Sequence, residues 1–438
     1  MALFPRLVPV LHRYRGSLAR LSRVMGSGLI SRAAQLALMV IVARRLGPTD
    51  YGLFIFAIGT SAVAGMLGNL GWQFAFNRFF AIARRQADKS ELRGLMRASG
   101  GMSLAGSLVA ASVLVVAGML TEELGFGLIA AGVLAIPYAG MLLRRQQLAG
   151  TGQPATALML DQGLASLVLL AVVLSYRASL GEMLAVYGGA LLAGNLGAAW
   201  LVRRKLPAGL SEAPARYDWR TWIRVSLTLM QARMAKMLLS RIDVVLLPVL
   251  ASLTAAGIYG AAYRVTYLLP FPHFVLQTIN GPQFAEAFAS GRIDRVRRTL
   301  KLSIGFSLVT SLPWLILFVA VPETVMRFVF GQKFADGALP LVLISIGQFA
   351  MGLAIPFNSI LIMSGNEKAL VRLSYTILLS SLALAFVLIP PYGAAGAGTV
   401  TLMSGLALVG GQAWLARRAL LVPRQASHGQ AVGPEPAD

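Results

Sequence analysis

The chain has 438 residues, 57% of them hydrophobic and only 13% charged, and its mean hydropathy of +0.70 is too high for a water-soluble enzyme. Its 39 Lys+Arg outnumber 17 Asp+Glu to give a net charge of +22, so the partners to weigh are nucleic acid, an anionic membrane surface or an anionic substrate. With no cysteine and only His12, His273 and His428 as imidazoles, disulfides, thiolate chemistry and a metal centre are set aside.

A bilayer core of about 30 Å takes roughly 20 apolar residues per helical span, because every backbone polar group must be satisfied without water. Twelve such spans are predicted in chain order, at 24–43, 53–77, 98–119, 124–143, 155–176, 183–202, 224–248, 255–283, 302–321, 338–363, 370–389 and 393–416. The fold class is therefore an all-α polytopic membrane protein. The first 23 residues carry Arg6, Arg13, Arg15, Arg20 and Arg23 without a clean apolar core and cleavage site. We expect no removable signal peptide, and the first span should serve as the insertion signal.

Loop charges set the orientation. With the N-terminus inside, the inside segments hold 29 Lys+Arg and the outside segments only 5, namely Arg44, Arg45, Arg177, Arg327 and Lys333. This positive-inside bias predicts both termini in the cytoplasm and an even number of spans. Most of the net charge then reflects topology and contact with anionic lipid. Nucleic acid is not expected as a partner, because no extended basic domain is present.

The polar stretch RRKLPAGLSEAPARYDWRTWIR at 203–224 has the mixture of Pro, Gly and charge of a linker. It predicts a cytoplasmic basic tail (1–23), a six-helix bundle (24–202), a cytoplasmic linker (203–223), a second six-helix bundle (224–416) and a flexible cytoplasmic tail (417–438). At an offset of 205, Thr49 pairs with Thr254, Gly52 with Gly257, Phe79 with Phe284 and Arg93 with Arg298. Six spans return the chain to its starting side, so the halves are expected to be related by a pseudo-two-fold axis along the membrane normal.

Five basic and two acidic residues fall within spans: Arg32, Arg233, Lys236, Arg241, Arg264, Asp161 and Asp243. A charge at the centre of a span costs about 2.5–3.5 kcal/mol on the translocon scale, so such groups face water, a partner or a substrate. At 100° per residue, Arg233, Lys236, Ser240 and Asp243 share a face of span 7. In span 8, Tyr259, Tyr263, Thr266, Pro270, His273, Gln277 and Asn280 fall within a sector of roughly 100°. Span 1 carries Ser31, Arg32 and Gln35, and span 2 carries Gly65, Asn69 and Gln73 on one side. Together they suggest one wet, cationic cavity. Structural roles stay open for each: Arg32 and Arg233 can snorkel, Lys236 can pair with Asp243, Arg264 can join an ion pair, and His273 can be a packing residue. The tyrosines can form an interfacial belt, Asp161 can be structural, and Asn69, Gln73, Gln277 and Asn280 can act as interhelical glue. Pro270, Pro272, Pro282, Pro313, Pro340 and Pro356 permit bends.

The run GSGLISRAAQLALMVIVARRLGPTDYGLFIFAIGTSAVAGMLGNLGWQFAFNRFFA at 26–81 resembles the opening of the polysaccharide transporters, the Wzx-type lipid-linked oligosaccharide flippases. The run SRIDVVLLPVLASLTAAGIYGAAYRVTYL at 240–268 is similar to a second segment of that family. The resemblance implies the multidrug, oligosaccharidyl-lipid and polysaccharide exporter fold, with two six-helix lobes in a V around a cavity. It also implies transport of a polyprenyl-diphosphate-linked glycan across the bacterial inner membrane by alternating access, with membrane lipids, a polysaccharide polymerase and glycosyltransferases as partners. On that basis Arg32, Arg233, Lys236, Arg241 and Arg264 would hold the diphosphate, while Tyr259, Tyr263, His273, Gln277, Asn280, Asn69 and Gln73 would contact glycan. No cofactor is expected beyond a coupling proton or sodium ion, for which Asp243 and then His273 are the candidates; a substrate gradient is the alternative drive. A multidrug or cation antiporter is the competing transporter, although it would favour an acidic cavity. A membrane glycosyltransferase or polymer ligase generally needs a large outside loop, and the longest here is 322–337.

Overall fold

A computed structural model describes residues 8–421 except 208, 240, 241 and 268. Side chains are described from Ala34 onward, apart from those of 158, 161, 162, 232, 236, 237, 242, 271, 274, 275, 277–279 and 282. The elements are α1 (Val8–Gly68), α2 (Trp72–Arg85), α3 (Lys89–Met119), α4 (Gly125–Gly150), α5 (Pro154–Leu158), a π-helix (Met159–Gly163), α6 (Leu164–Ser175), α7 (Leu180–Lys205) and α8 (Trp219–Leu239). They continue with α9 (Ile242–Leu250), α10 (Leu253–Thr266), α11 (Phe271–Ala289), α12 (Ile293–Ala320), α13 (Pro322–Phe330), a 3₁₀ helix (Gln332–Gly337), α14 (Ala338–Met363) and α15 (Glu367–Leu421). All described elements are helical, and seven helices are each long and apolar enough to cross a bilayer. The chain is an all-α, multi-pass membrane protein.

Several predicted spans are single helices, but three are interrupted among the described residues. Predicted span 2 breaks after Gly68, where Leu70 (φ 50°) and Gly71 (φ 83°) take left-handed conformations. Predicted span 5 becomes α5, a π-turn and α6. Predicted span 7 is α8 and α9, with 240 and 241 outside the described residues. Predicted span 8 is α10 and α11, the second capped by Pro270 with Pro272 in its first turn, where a missing amide hydrogen costs least. The continuous face expected from Tyr259 to Asn280 therefore does not exist as a single helical stripe. Conversely, α1 and α15 each carry two predicted spans, and the turns between them shrink to Gly47 (φ 78°) and Gly393 (φ 51°).

The chain forms two compact units. The first holds the described residues through Met234 together with Ser252–Gly257; the second holds Ala235–Ala251 and the described residues from Ile258. The expected linker lies wholly within the first unit and is fastened there. The Arg216 amide donates to the Ser90 carbonyl (3.0 Å), and its guanidinium pairs with Asp88 (3.2 Å) and Glu91 (3.4 Å). Beside it, Trp72, Phe76, Phe79 and Phe80 bury against Leu95 and Trp222, which draws the start of α8 into the first core. The second core is built on Phe284, Ala287, Val296, Ile360, Leu361 and Ala416.

Helices α3 and α12 show the polarity expected in lipid. Val109, Val113 and Val116 on α3 and Leu302, Val309 and Ile316 on α12 are exposed, whereas Ser99, Ser103 and Ser107 and then Ser303, Ser307 and Ser311 form buried stripes at every fourth residue. Small residues at that spacing let neighbouring helices approach closely. Both halves also end alike: Trp200 and Arg204 of W-L-V-R-R, and Trp414 and Arg418 of W-L-A-R-R, place a guanidinium 3.8 Å from the indole centroid.

Within the first unit, the residues matched at offset 205 touch one another. The hydroxyls of Thr49 and Thr254 are 2.8 Å apart. A Cβ built on Gly52 would collide with the Leu253 carbonyl oxygen, and one built on Gly257 would collide with that of Pro48. Because Leu253 is itself the counterpart of Pro48, the contact is reciprocal, as at a two-fold axis. Only glycine lets the two backbones meet this closely.

Candidate functional site

The first unit uses its span polar groups to close the break after α1. Asn69 is buried and its Nδ2 donates to the Ala139 carbonyl of α4 (2.9 Å), while Gln73 Nε2 donates to the Met66 carbonyl (3.3 Å). Gln73 thus serves a carbonyl at the end of α1 that the break leaves without its helical donor. Arg233 on α8 is exposed and lies over the Phe74 ring at 5.1 Å, a cation–π arrangement that leaves its charge available.

The second unit brings a carboxylate together with two hydroxyls. Asp243 at the start of α9 accepts from the Tyr259 hydroxyl of α10 (2.6 Å) and the Thr401 hydroxyl of α15 (3.1 Å). Those two hydroxyls are themselves 2.8 Å apart. Tyr259 is fully buried, so its hydroxyl serves Asp243. Asp243 has no cationic partner among the described residues. Thr401 carries no signal in the sequence that would mark it, since it reaches Asp243 from 158 residues away.

From Tyr259 an aromatic column runs along α10. Tyr263 stacks on Tyr259 (centroids 5.8 Å, 24°) and meets Tyr267 edge-on (5.2 Å, 80°). Arg264 is half-buried with its guanidinium 5.7 Å from the Tyr267 ring. A guanidinium beside stacked aromatic faces can hold an anionic, sugar-bearing group.

A separate polar cluster sits on α11. His273 is buried against Gly352, where a Cβ would lie 2.9–3.1 Å from its ring atoms. Neither ring nitrogen has a well-formed hydrogen bond among the described residues. One turn and more along the helix, Asn280 donates to Ser303 (2.7 Å). His273, Asn280, Ser303, Ser307 and Ser359 line a void of about 10 Å³, at the lower limit for one water molecule.

The expected residues therefore fall into separate groups: Asn69 and Gln73 with α4 and α1, Arg233 with Phe74, Asp243 with Tyr259, Tyr263 and Arg264 along α10, and His273 with Asn280. The side chains of Arg32, Lys236, Gln277 and Asp161, and Arg241 altogether, lie outside the described residues.

The sequence profile of a family described as polysaccharide biosynthesis protein matches residues 18–275, well over half of the chain. No curated protein matches by sequence. Among solved structures, the chain is similar to an inward-facing multidrug resistance MATE family transporter of the MOP superfamily (14% identity, TM-score 0.67, 90% of this chain and 96% of that one covered). It is also similar to the lipid II flippase MurJ in an inward closed conformation (13% identity, TM-score 0.71, 91% and 89% covered). A third likeness is to the Vibrio cholerae MATE transporter VcmN in the bent form (16% identity, TM-score 0.54, 93% and 98% covered). At these identities the likeness is one of fold. The chain belongs to the polysaccharide biosynthesis protein family and is a multi-pass membrane protein with the fold of the MOP-superfamily transporters.

Proposed function

We propose that the protein is a flippase that carries a polyprenyl-diphosphate-linked oligosaccharide from the cytoplasmic to the periplasmic leaflet of the bacterial inner membrane, for assembly of a surface polysaccharide. The observation that carries this reading is the combination of a polysaccharide biosynthesis family with a fold shared with a lipid II flippase. The in-span charge balance supports it. A diphosphate drawn into the bilayer needs fixed cations, and arginine presents a planar donor fork matched to phosphate. Arg233 and Arg264, each beside an aromatic ring, would hold the diphosphate, with Arg32, Lys236 and Arg241 added from the sequence. Tyr263 and Tyr267 would meet the glycan, and transport would proceed by alternating access. Both termini face the cytoplasm in this reading, and the glycan passes on to a polymerase and glycosyltransferases.

The test is translocation of a fluorescent polyprenyl-diphosphate oligosaccharide in vesicles containing the purified protein. Protein-dependent translocation is expected, together with its loss in Arg233→Ala/Lys236→Ala, which should also abolish surface glycan at normal protein abundance. Unchanged glycan would sink the assignment. Uptake of cationic dyes in place of the lipid-linked glycan would favour the antiporter.

Asp243 is the proposed coupling group, because a half-buried carboxylate that accepts from two hydroxyls among the described residues can exchange a proton or hold a sodium ion. Translocation with and without an imposed gradient of each ion tests this, and gradient independence counts against it.

A further inference from the structure

A cleft at the basic end of the first unit is used by none of the groups above. Helices α2 and α4 run side by side in the same direction, with Asn69 meeting Ala139, Asn77 meeting Gln146 and Phe80 meeting Gly150. Around that last contact lies a cavity of about 420 Å³ lined by Asn77, Phe80, Ala81, Arg84, Arg85, Ala149 and Gly150. That is within the size range of small-molecule sites.

Three features of the cleft converge. Arg84 and Arg85 are exposed and have no carboxylate partner among the described residues, and none of the lining residues is acidic. The two helix ends contribute roughly half a negative charge each, so two full guanidinium charges leave the cleft cationic. Asn77 donates through Nδ2 to Gln146 (2.7 Å), which leaves its buried Oδ1 without a partner and waiting for a donor. Finally, the opening depends on small side chains: a Cβ on Gly150 would lie 3.0 Å from that same Oδ1 and 3.1 Å from the Phe80 ring.

We infer that this cleft binds a phosphate-bearing headgroup with a hydroxyl beside the phosphate, held by Arg84 and Arg85 on the phosphate oxygens and by Asn77 Oδ1 on the hydroxyl. An apolar occupant would leave both guanidiniums and the amide oxygen unserved. A bare anion would leave the amide oxygen unserved, since it offers no donor. A glycerol phosphate headgroup and a sugar diphosphate both meet the requirement. At the membrane surface marked by Arg84 and Arg85, the headgroup can belong to a bulk anionic phospholipid or to a lipid-linked diphosphate. Held by Arg84, Arg85 and Asn77, the site uses none of the residues assigned above to transport.

The test uses the full-length protein in nanodiscs of phosphatidylcholine, titrated separately with phosphatidylglycerol, with a polyprenyl-diphosphate-linked sugar and with inorganic diphosphate, the bound copies being counted by native mass spectrometry. Arg84→Gln/Arg85→Gln removes the charge at exposed positions. Gly150→Val fills the cleft without changing charge. We expect one tightly held copy on the wild type and at least a tenfold weaker hold in both variants. Preference for phosphatidylglycerol identifies bulk lipid as the source, preference for the polyprenyl-diphosphate-linked sugar identifies the lipid-linked one, and inorganic diphosphate should bind more weakly than either. Equal retention of every probe by the wild type and a folded Arg84→Gln/Arg85→Gln variant overturns the proposal. Inorganic diphosphate bound as tightly as either lipid overturns the role given to Asn77.

Discussion

The two units treat polar groups inside their spans differently. In the first, Asn69, Gln73 and Asn77 are neutral amides that donate to the Ala139 carbonyl, the Met66 carbonyl and the Gln146 side-chain oxygen. In the second, a carboxylate is embedded among hydroxyls. The offset of 205 makes the contrast sharper, because Asp243 and Tyr259 correspond to Leu38 and Phe54, both fully buried. One half thus packs two apolar side chains where the other packs an acid and its donor. The first unit packs hydrocarbon at the corresponding places.

If the halves share a frame and differ in what they carry, substitutions of the frame should act alike and substitutions of the inserts should not. The largest effect is expected at the reciprocal glycines. Gly52→Val and Gly257→Val would each drive a side chain into a backbone carbonyl, with no flexible neighbour to yield. Overpacking of this kind costs about 1–3 kcal/mol and sometimes more, and each variant should lose at least that in an SDS unfolding titration in mixed micelles. A large loss for one variant and none for the other would break the equivalence of the two segments.

The next effect belongs to the second unit. Tyr259→Phe removes the shorter donor to Asp243 (2.6 Å) and should cost about 1–3 kcal/mol, as for a buried polar group left short of a partner. Asp243→Leu with Tyr259→Phe reproduces the side chains of the first unit, and apolar replacement of a buried charge is often neutral or stabilising. The double variant should therefore recover the stability lost in the single one while losing any response of translocation to an ion gradient. A double variant less stable than Tyr259→Phe alone would make the cluster a structural device. By comparison, Asn69→Leu in the first unit removes one neutral interhelical bond (2.9 Å) and should cost about 0.6–1.7 kcal/mol, leaving gradient response untouched.

How far the sequence could be read follows the same division. Apolar runs, loop charges and the offset of 205 report properties of the frame, which is set by the bilayer and by close packing. Helix breaks are harder to see. Pro270 and Pro272 mark the one between α10 and α11, but the break after Gly68 rests on Leu70 and Gly71 in left-handed conformations, and neither residue type announces it. Asp243 stood out as a charge inside a span. Its partners did not, because Tyr259 reads equally well as a glycan platform and Thr401 is one hydroxyl among many in apolar helices. The W-L-x-R-R repeat was visible but falls at an offset of 214, outside the register that aligned the rest.

That repeat supplies the finest test of the comparison. Trp200 and Trp414 are each about half exposed, and each holds a guanidinium at 3.8 Å one helical turn along. Aromatic and basic residues at a helix end anchor it at headgroup level, and an exposed cation–π pair is worth about 0.5–1 kcal/mol. Trp414 lies 13 residues, roughly 20 Å, beyond Thr401 along α15, and Trp200 is in the other unit, so neither should affect coupling. Trp200→Ala and Trp414→Ala should each cost about that amount in the SDS titration, within error of one another, and their losses should add in the double variant because the sites share no partner. Strongly unequal costs would show that one of the two ends does more than anchor its helix, and would locate a difference between the halves that the frame does not contain.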